Sequence, residues 1–252
     1  WSYFVKNGEA TVAAEKNGEY SCAVSPSPKG AITIPKTLGG VKVTGIGYKF
    51  FYRCEEVTSV TIPEGVTCIG PSAFDLCFGL KSVTIPSSVK TIGAWAFSAC
   101  FQMQPLTLPE SLEYIGKGAF INCKSLKMVN LPAKLAVIGD SAFAYCDGLS
   151  SVTVPASVAK IGRGAFYDCG ELTEVTMFGE RPEVPNDIFN KACGKLKSIH
   201  VPANAKSWAG MKEWQGLPLV FDAQGQTDDS GCGAKDIKYK FSYKLEDEFA
   251  VI

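Results

Sequence analysis

Leu80-Lys-Ser-Val-Thr-Ile-Pro86-Ser-Ser-Val-Lys-Thr-Ile-Gly93-Ala-Trp-Ala-Phe-Ser-Ala-Cys100 is the stretch on which the reading of this chain turns. Leu80, Val83 and Ile85 are its apolar positions, and the alternation Val83-Thr84-Ile85 sets Thr84 on the opposite face of a short strand. Pro86 has no N–H to give a ladder bond, so the strand stops there. Val89 and Ile92 return to the apolar side, Gly93 permits a turn, and Ala96-Phe97 supplies bulk for packing. A unit this small has no interior of its own. It needs neighbours of the same shape.

The neighbours are present. Cys54, Cys77, Cys100, Cys123, Cys146 and Cys169 stand 23 residues apart, and Cys193 follows after 24. In phase with them run Pro63, Pro86, Pro109, Pro132 and Pro155, the pairs Ile69-Gly70 to Ile161-Gly162, and the pairs Ala73-Phe74 to Ala165-Phe166. A period of roughly 20–29 residues with one short apolar strand per unit marks a leucine-rich-repeat solenoid. The expected fold has short parallel β-strands on one face, turns or short helical segments on the other, and a cap at each end.

The ends deviate as capping units should. Ile32-Thr-Ile-Pro35 to Ile46-Gly47 is a longer first unit with an insert around Leu38-Gly39-Gly40. Upstream, Trp1-Ser-Tyr-Phe-Val and Glu9-Ala-Thr-Val flank Asn7-Gly8, which predicts a hairpin. Downstream, Phe178 replaces the expected proline, Ile188-Phe189 stands in for Ala-Phe, and Trp208 and Trp214 follow Ile199-His-Val-Pro202. The division predicted is an N-terminal hairpin cap over residues 1–30, a solenoid of seven coils with its C-terminal cap over 31–222, and a tail over 223–252. In the tail, a Gly/Ser/Asp-rich linker precedes Ile237, Tyr239, Phe241, Tyr243 and Leu245, which alternate with Lys238, Lys240, Ser242 and Lys244 as in an amphipathic strand.

The pattern Ile-Pro-x-x-Val-x-x-Ile-Gly-x-x-Ala-Phe-x-x-Cys-x-x-Leu-x-x-Val-Thr-Ile-Pro resembles the BspA-type leucine-rich repeat, over roughly residues 31–222. That resemblance implies a bacterial protein, extracellular or at the cell surface, that adheres to a host or matrix protein; the alternative reading is a glycan-binding or structural spacer module of a larger surface protein. It transfers no catalytic residue, because the shared motif is a packing motif.

Composition narrows the function further. With 25 basic and 25 acidic residues the net charge is zero, so no field for nucleic acid arises. No apolar run approaches the roughly 18 residues of a membrane span. The start at Trp1, without a signal peptide, suggests a processed or excised chain. No cofactor or metal is expected, for no phosphate loop, dinucleotide fingerprint or zinc spacing occurs. His200 is the single histidine and has no recognisable nucleophile partner, so an enzyme is not expected. The aligned cysteines read as a column of small buried hydrophobes, against the alternatives of a disulfide ladder or metal binding. Cys22, Cys68 and Cys232 lie outside that column.

Two surfaces are candidates for a ligand. On the strand face, Thr33, Thr61, Thr84, Thr107, Asn130, Thr153, Thr176 and His200 form one column, predicting a continuous sheet roughly 34 Å long at about 4.8 Å per strand. A solvated threonine ladder explains the column as well as a binding face does. If it binds, Gln104, Pro105, Lys127, Met128 and Asn130 break its monotony and mark its centre. The second surface is aromatic: Phe78 and Phe101 should stack side by side, with Trp95, Tyr145 and Tyr167 nearby, either exposed for a protein or glycan ligand or packed over the convex side.

Overall fold

The computed structural model describes residues 3–6, 9–12, 27–104, 106–185, 187–189 and 193–222. The tail over 223–252, together with Cys22 and Cys232, lies outside them. The chain winds into a parallel β-solenoid of about eight turns. Its strands in order are β1 (Tyr3–Lys6), β2 (Glu9–Val12), β3 (Gly30–Thr33), β4 (Thr37–Leu38), β5 (Val41–Ile46) and β6 (Val57–Thr61). Then come β7 (Cys68–Ile69), β8 (Ser82–Thr84), β9 (Thr91–Ile92), β10 (Tyr114–Ile115), β11 (Met128–Asn130) and β12 (Val137–Ile138). The last are β13 (Ser151–Val154), β14 (Lys160–Ile161), β15 (Glu174–Met177), β16 (Ile199–Pro202), β17 (Glu213–Trp214) and β18 (Leu217–Asp222).

Each regular coil contributes to two sheets. The strand ending in threonine pairs with its equivalents one coil away, while the dipeptide ending in the column isoleucine builds a second sheet, β5-β7-β9-β10-β12-β14. The hairpin of β1 and β2 joins that second sheet through β2 and β5. Sequence reading treated Val89 to Ile92 as a return to the core and missed this sheet. Two residues per coil leave too little alternation to register as a strand.

The third side of the coil holds turns, one of the two forms expected there, and a 3₁₀ turn at Lys206–Trp208 is the one helical element among the described residues. Here the backbone is left-handed twice per coil. Lys49, Ser72, Trp95, Gly118, Ser141, Gly164 and Asp187 form one positive-φ column, and Arg53, Leu76, Ala99, Asn122, Tyr145 and Asp168 the other. For a non-glycine residue this conformation costs about 1–2 kcal/mol. The compensation is visible in the hydrogen bonds. Ser72, Phe74 and Leu76 donate their N–H groups to the carbonyls of Ala94, Ala96 and Ser98 in the next coil at 2.8, 2.7 and 2.9 Å, whereas Ala73, Asp75 and Cys77 donate within their own coil. The turn edge is therefore bonded from coil to coil much as a sheet is.

Inside, one phenylalanine per coil stacks on the next from Phe51 to Phe189, with ring centroids 5.0–5.9 Å apart in the run Phe74, Phe97, Phe120, Phe143, Phe166, Phe189. Ile188-Phe189 thus fills the place predicted for it. In the same core lie the buried cysteines. The thiols of Cys77, Cys100, Cys123, Cys146, Cys169 and Cys193 each donate to the carbonyl of the phenylalanine in the preceding coil, at 3.0–3.3 Å. This sharpens the reading of cysteine as a mere small hydrophobe: alanine would leave the sulfur's space empty and lack the weak donor. Burial pushes the thiols of Cys77 and Cys123 up to about 12. Cys54, at the head of the column, is an exception and is disulfide-bonded.

The column glycine after each isoleucine also has a different task from the one expected. Gly93, Gly116 and Gly139 are absent from the positive-φ residues, so no special turn conformation requires them. A Cβ on Gly93 would sit 2.8 Å from the backbone nitrogen of Pro71, and one on Gly139 2.6 Å from the backbone of Gly116. Glycine lets successive backbones touch at this corner.

Candidate functional site

The strand face departs from the expected continuous ladder. Thr33, Thr61 and Thr84 align in a three-stranded sheet, β3-β6-β8, while Asn130, Thr153, Thr176 and His200 align in a six-stranded one, β11-β13-β15-β16-β18-β17. Between them, among the described residues, the coil of Gln104 and Thr107 carries a single bridge, Leu106 to Val129. The sequence places Pro105 in the middle of this coil, and a proline has no N–H for a ladder. The predicted sheet is thus interrupted at its centre. The apolar underside is not, for Met103, Leu106, Leu108 and Val129 are all buried.

The interruption gathers four of the predicted residues. Gln104, Lys127, Met128 and Asn130 are exposed, Met128 by 59%. Met128 opens β11, beside Ser151 of β13, with Glu174 of β15 one strand beyond. A thioether this exposed on a sheet face is a flexible apolar contact ringed by polar groups. Farther along, His200 Nδ1 and Asp222 Oδ1 lie 3.2 Å apart, a pair the 23-residue columns do not predict because β18 lies past the last regular repeat.

The aromatic candidates fall at opposite ends of the turn segment. Phe78 and Phe101 stack in parallel at 5.0 Å, half-buried, with Lys124 Nζ 6.0 Å from the Phe101 ring. Trp95 is 41% exposed and lies against the next coil, where a Cβ on Gly118 would come within 2.7 Å of the indole. Gly118 also adopts a φ of +59°, so it suits that position twice over. Lys117 Nζ sits 5.7 Å from the Trp95 ring.

A shallow groove of about 900 Å³ continues from there, lined by Lys117, Asp140, Tyr145, Arg163, Tyr167 and Asp187 among others. Tyr145 and Tyr167 meet edge to face at 5.6 Å, each almost two-fifths exposed. Sequence reading noticed the tyrosines but not the charged residues. The signal was available: Lys117, Asp140 and Arg163 occupy one column, 23 residues apart, and so must line up. At the far end of the groove Lys160 pairs with Glu183 at 3.6 Å.

Among the described residues no group of three or more potential metal ligands forms, and no helix is long and apolar enough to cross a membrane. Half-exposed Cys68 belongs to β7, where desolvation raises its thiol above the usual range.

With this geometry in hand, the repeat can be assigned. Residues 44–173 and 96–210 match the BspA type leucine rich repeat region, in six copies. The chain belongs to that family. Among solved structures, the T. pallidum leucine rich repeat protein is 28% identical, with a TM-score of 0.65 over 77% of this chain and 87% of that one. A leucine-rich repeat protein from Bacteroides ovatus is 27% identical, with a TM-score of 0.60 over 87% of this chain but 65% of its own length. No curated protein sequence matches the chain. A bacterial leucine-rich-repeat family of this kind supports a protein-interaction module.

Proposed function

We propose that the chain is a non-catalytic adhesion module of an extracellular or cell-surface bacterial protein, and that it grips a host or matrix protein through the interrupted strand face. The observation that carries this reading is Met128, an exposed thioether in the strand that borders the coil where, among the described residues, pairing thins to one bridge, with Gln104, Lys127 and Asn130 also exposed there. Exposed apolar groups inside a polar rim are what interfaces use for anchoring. Membership of the repeat family supports the surface location and the binding role. The test is binding of the purified chain to immobilised matrix proteins. Saturable binding that Met128→Glu weakens at least tenfold, with melting unchanged, supports the reading; equal binding by the variant moves the site off this face, and no binding to any such protein removes the adhesion role.

A second reading is favoured by the groove. Trp95, Tyr145 and Tyr167 offer flat rings beside paired cations and carboxylates, a composition suited to the hydroxyls and ring faces of a glycan. Glycan-array binding lost in Trp95→Ala and Tyr145→Ala but kept in Met128→Glu would select it.

A further inference from the structure

Among the described residues the solenoid ends with its core open. β18 adds to β16 in parallel register, Leu219 opposite Ile199 and Phe221 opposite Val201. These two positions continue interior columns: Val152, Val175 and Ile199 in one, Val154, Met177 and Val201 in the other, all at most 2% exposed. Phe221, though in such a column, is 42% exposed, and Leu219 is only partly buried. The outer edge of β18 is equally unfinished. Among the described residues β17 covers it only at Leu217 and Pro218, leaving residues 220–222 without a strand beyond. Trp208 and Trp214, packed edge to face at 5.1 Å, close the other part of this end.

What the end lacks is one strand with a single apolar face. The chain continues past Asp222 with 14 residues, 223–236, of linker composition, and then alternates Ile237, Tyr239, Phe241, Tyr243 and Leu245 against lysines and serine. Fourteen residues extend to roughly 46 Å, more than twice the roughly 20 Å length of β18, so the linker reaches either end of that strand. We propose that residues 237–245 form the closing strand of this solenoid, pairing with the open edge of β18 and laying their aromatic face over Leu219 and Phe221. The basic face then points to solvent, and lysines there discourage a further strand from adding on. The proposal is independent of which partner the interrupted face binds.

Hydrogen exchange of the full chain tests it. Amides of residues 237–245 and 220–222 are expected to exchange at least tenfold more slowly than in an unstructured chain, at a rate independent of protein concentration. Phe241→Asp should release both segments while residues 151–154 of β13 stay protected. Free exchange across 237–245 overturns the proposal. So does protection that appears only on concentrating the protein, which makes a second copy the occupant. Phe221→Asp provides the reciprocal variant: protection of 237–245 that survives it also overturns the proposal, because the segment is then ordered without this contact.

Discussion

Along the turn edge, inter-coil hydrogen bonds run from Lys49 with Pro71 to Phe166 with Ile188, and the phenylalanine stack beside them never lapses. On the opposite strand face of the same coils, pairing among the described residues stops at β8 and resumes at β11 with one bridge between. The contrast follows from what each side uses for cohesion. A ring in the stack touches the same ring above and below, so replacing one spoils two contacts. The strand face is held by backbone bonds, each worth about 0.5–1.5 kcal/mol net, and its outward side chains touch mainly water. One side cannot vary without loss; the other can, and its variation is where Gln104, Met128 and Asn130 appear.

The sharpest way to break this contrast is to remove a ring. Phe120, fully buried and stacked at 5.4 and 5.2 Å on its neighbours, should cost about 3–5 kcal/mol on replacement by alanine, measured by urea unfolding. Met128→Ala on the other face should leave the midpoint in place; comparable losses at both positions would erase the distinction. Next comes the corner where backbones touch. Gly139→Ala introduces a methyl 2.6 Å from the backbone of Gly116 and should cost about 1–3 kcal/mol, because coil spacing has to open.

The cysteine column supplies an effect that pH can read. Folding holds the Cys123 proton up to about 12, against an ordinary 9.0. Between those values the unfolded chain has lost a proton that the folded chain keeps, so stability falls as pH rises from 9 towards 12. Cys77, Cys100, Cys146 and Cys169 are raised by burial too, so Cys123→Ala should lessen that slope by one thiol's share without abolishing it, while at neutral pH its lost sulfur and donor cost about 1 kcal/mol. A slope unchanged in the variant would show that other groups set it. The smallest effect belongs to the interruption itself. Pro105→Thr restores an N–H to the central coil and should gain at most about 1 kcal/mol, with slower amide exchange at Val129 as the direct readout. A loss of stability instead would mean the interruption is built by more than a missing donor.

Much of the interior was legible in advance. Cys, Phe, Ile-Gly and Pro recur every 23 residues because a solenoid brings position i against i+23, so the period is itself a contact map. The stacking of Phe78 on Phe101 followed from the same rule, whereas the exposure of Trp95 did not, since its column fits a packed ring as well as an exposed one. The two-residue sheet and the groove did not. The first was too short for alternation to show, and the second depends on side chains of several kinds converging from three or more coils. The glycine column was seen but misjudged, since sequence marks where glycine stands without saying whether conformation or clearance demands it.

By itself, then, the sequence determined the repeat, the stacking partner of every column residue and the polar character of the strand face, because a fixed period converts spacing along the chain into contact between coils. Only the tertiary structure decided where the ladder lapses, why the thiols need the phenylalanine carbonyls, and that β18 leaves Phe221 uncovered. Those facts depend on distances between backbones, and a residue pattern carries no distances.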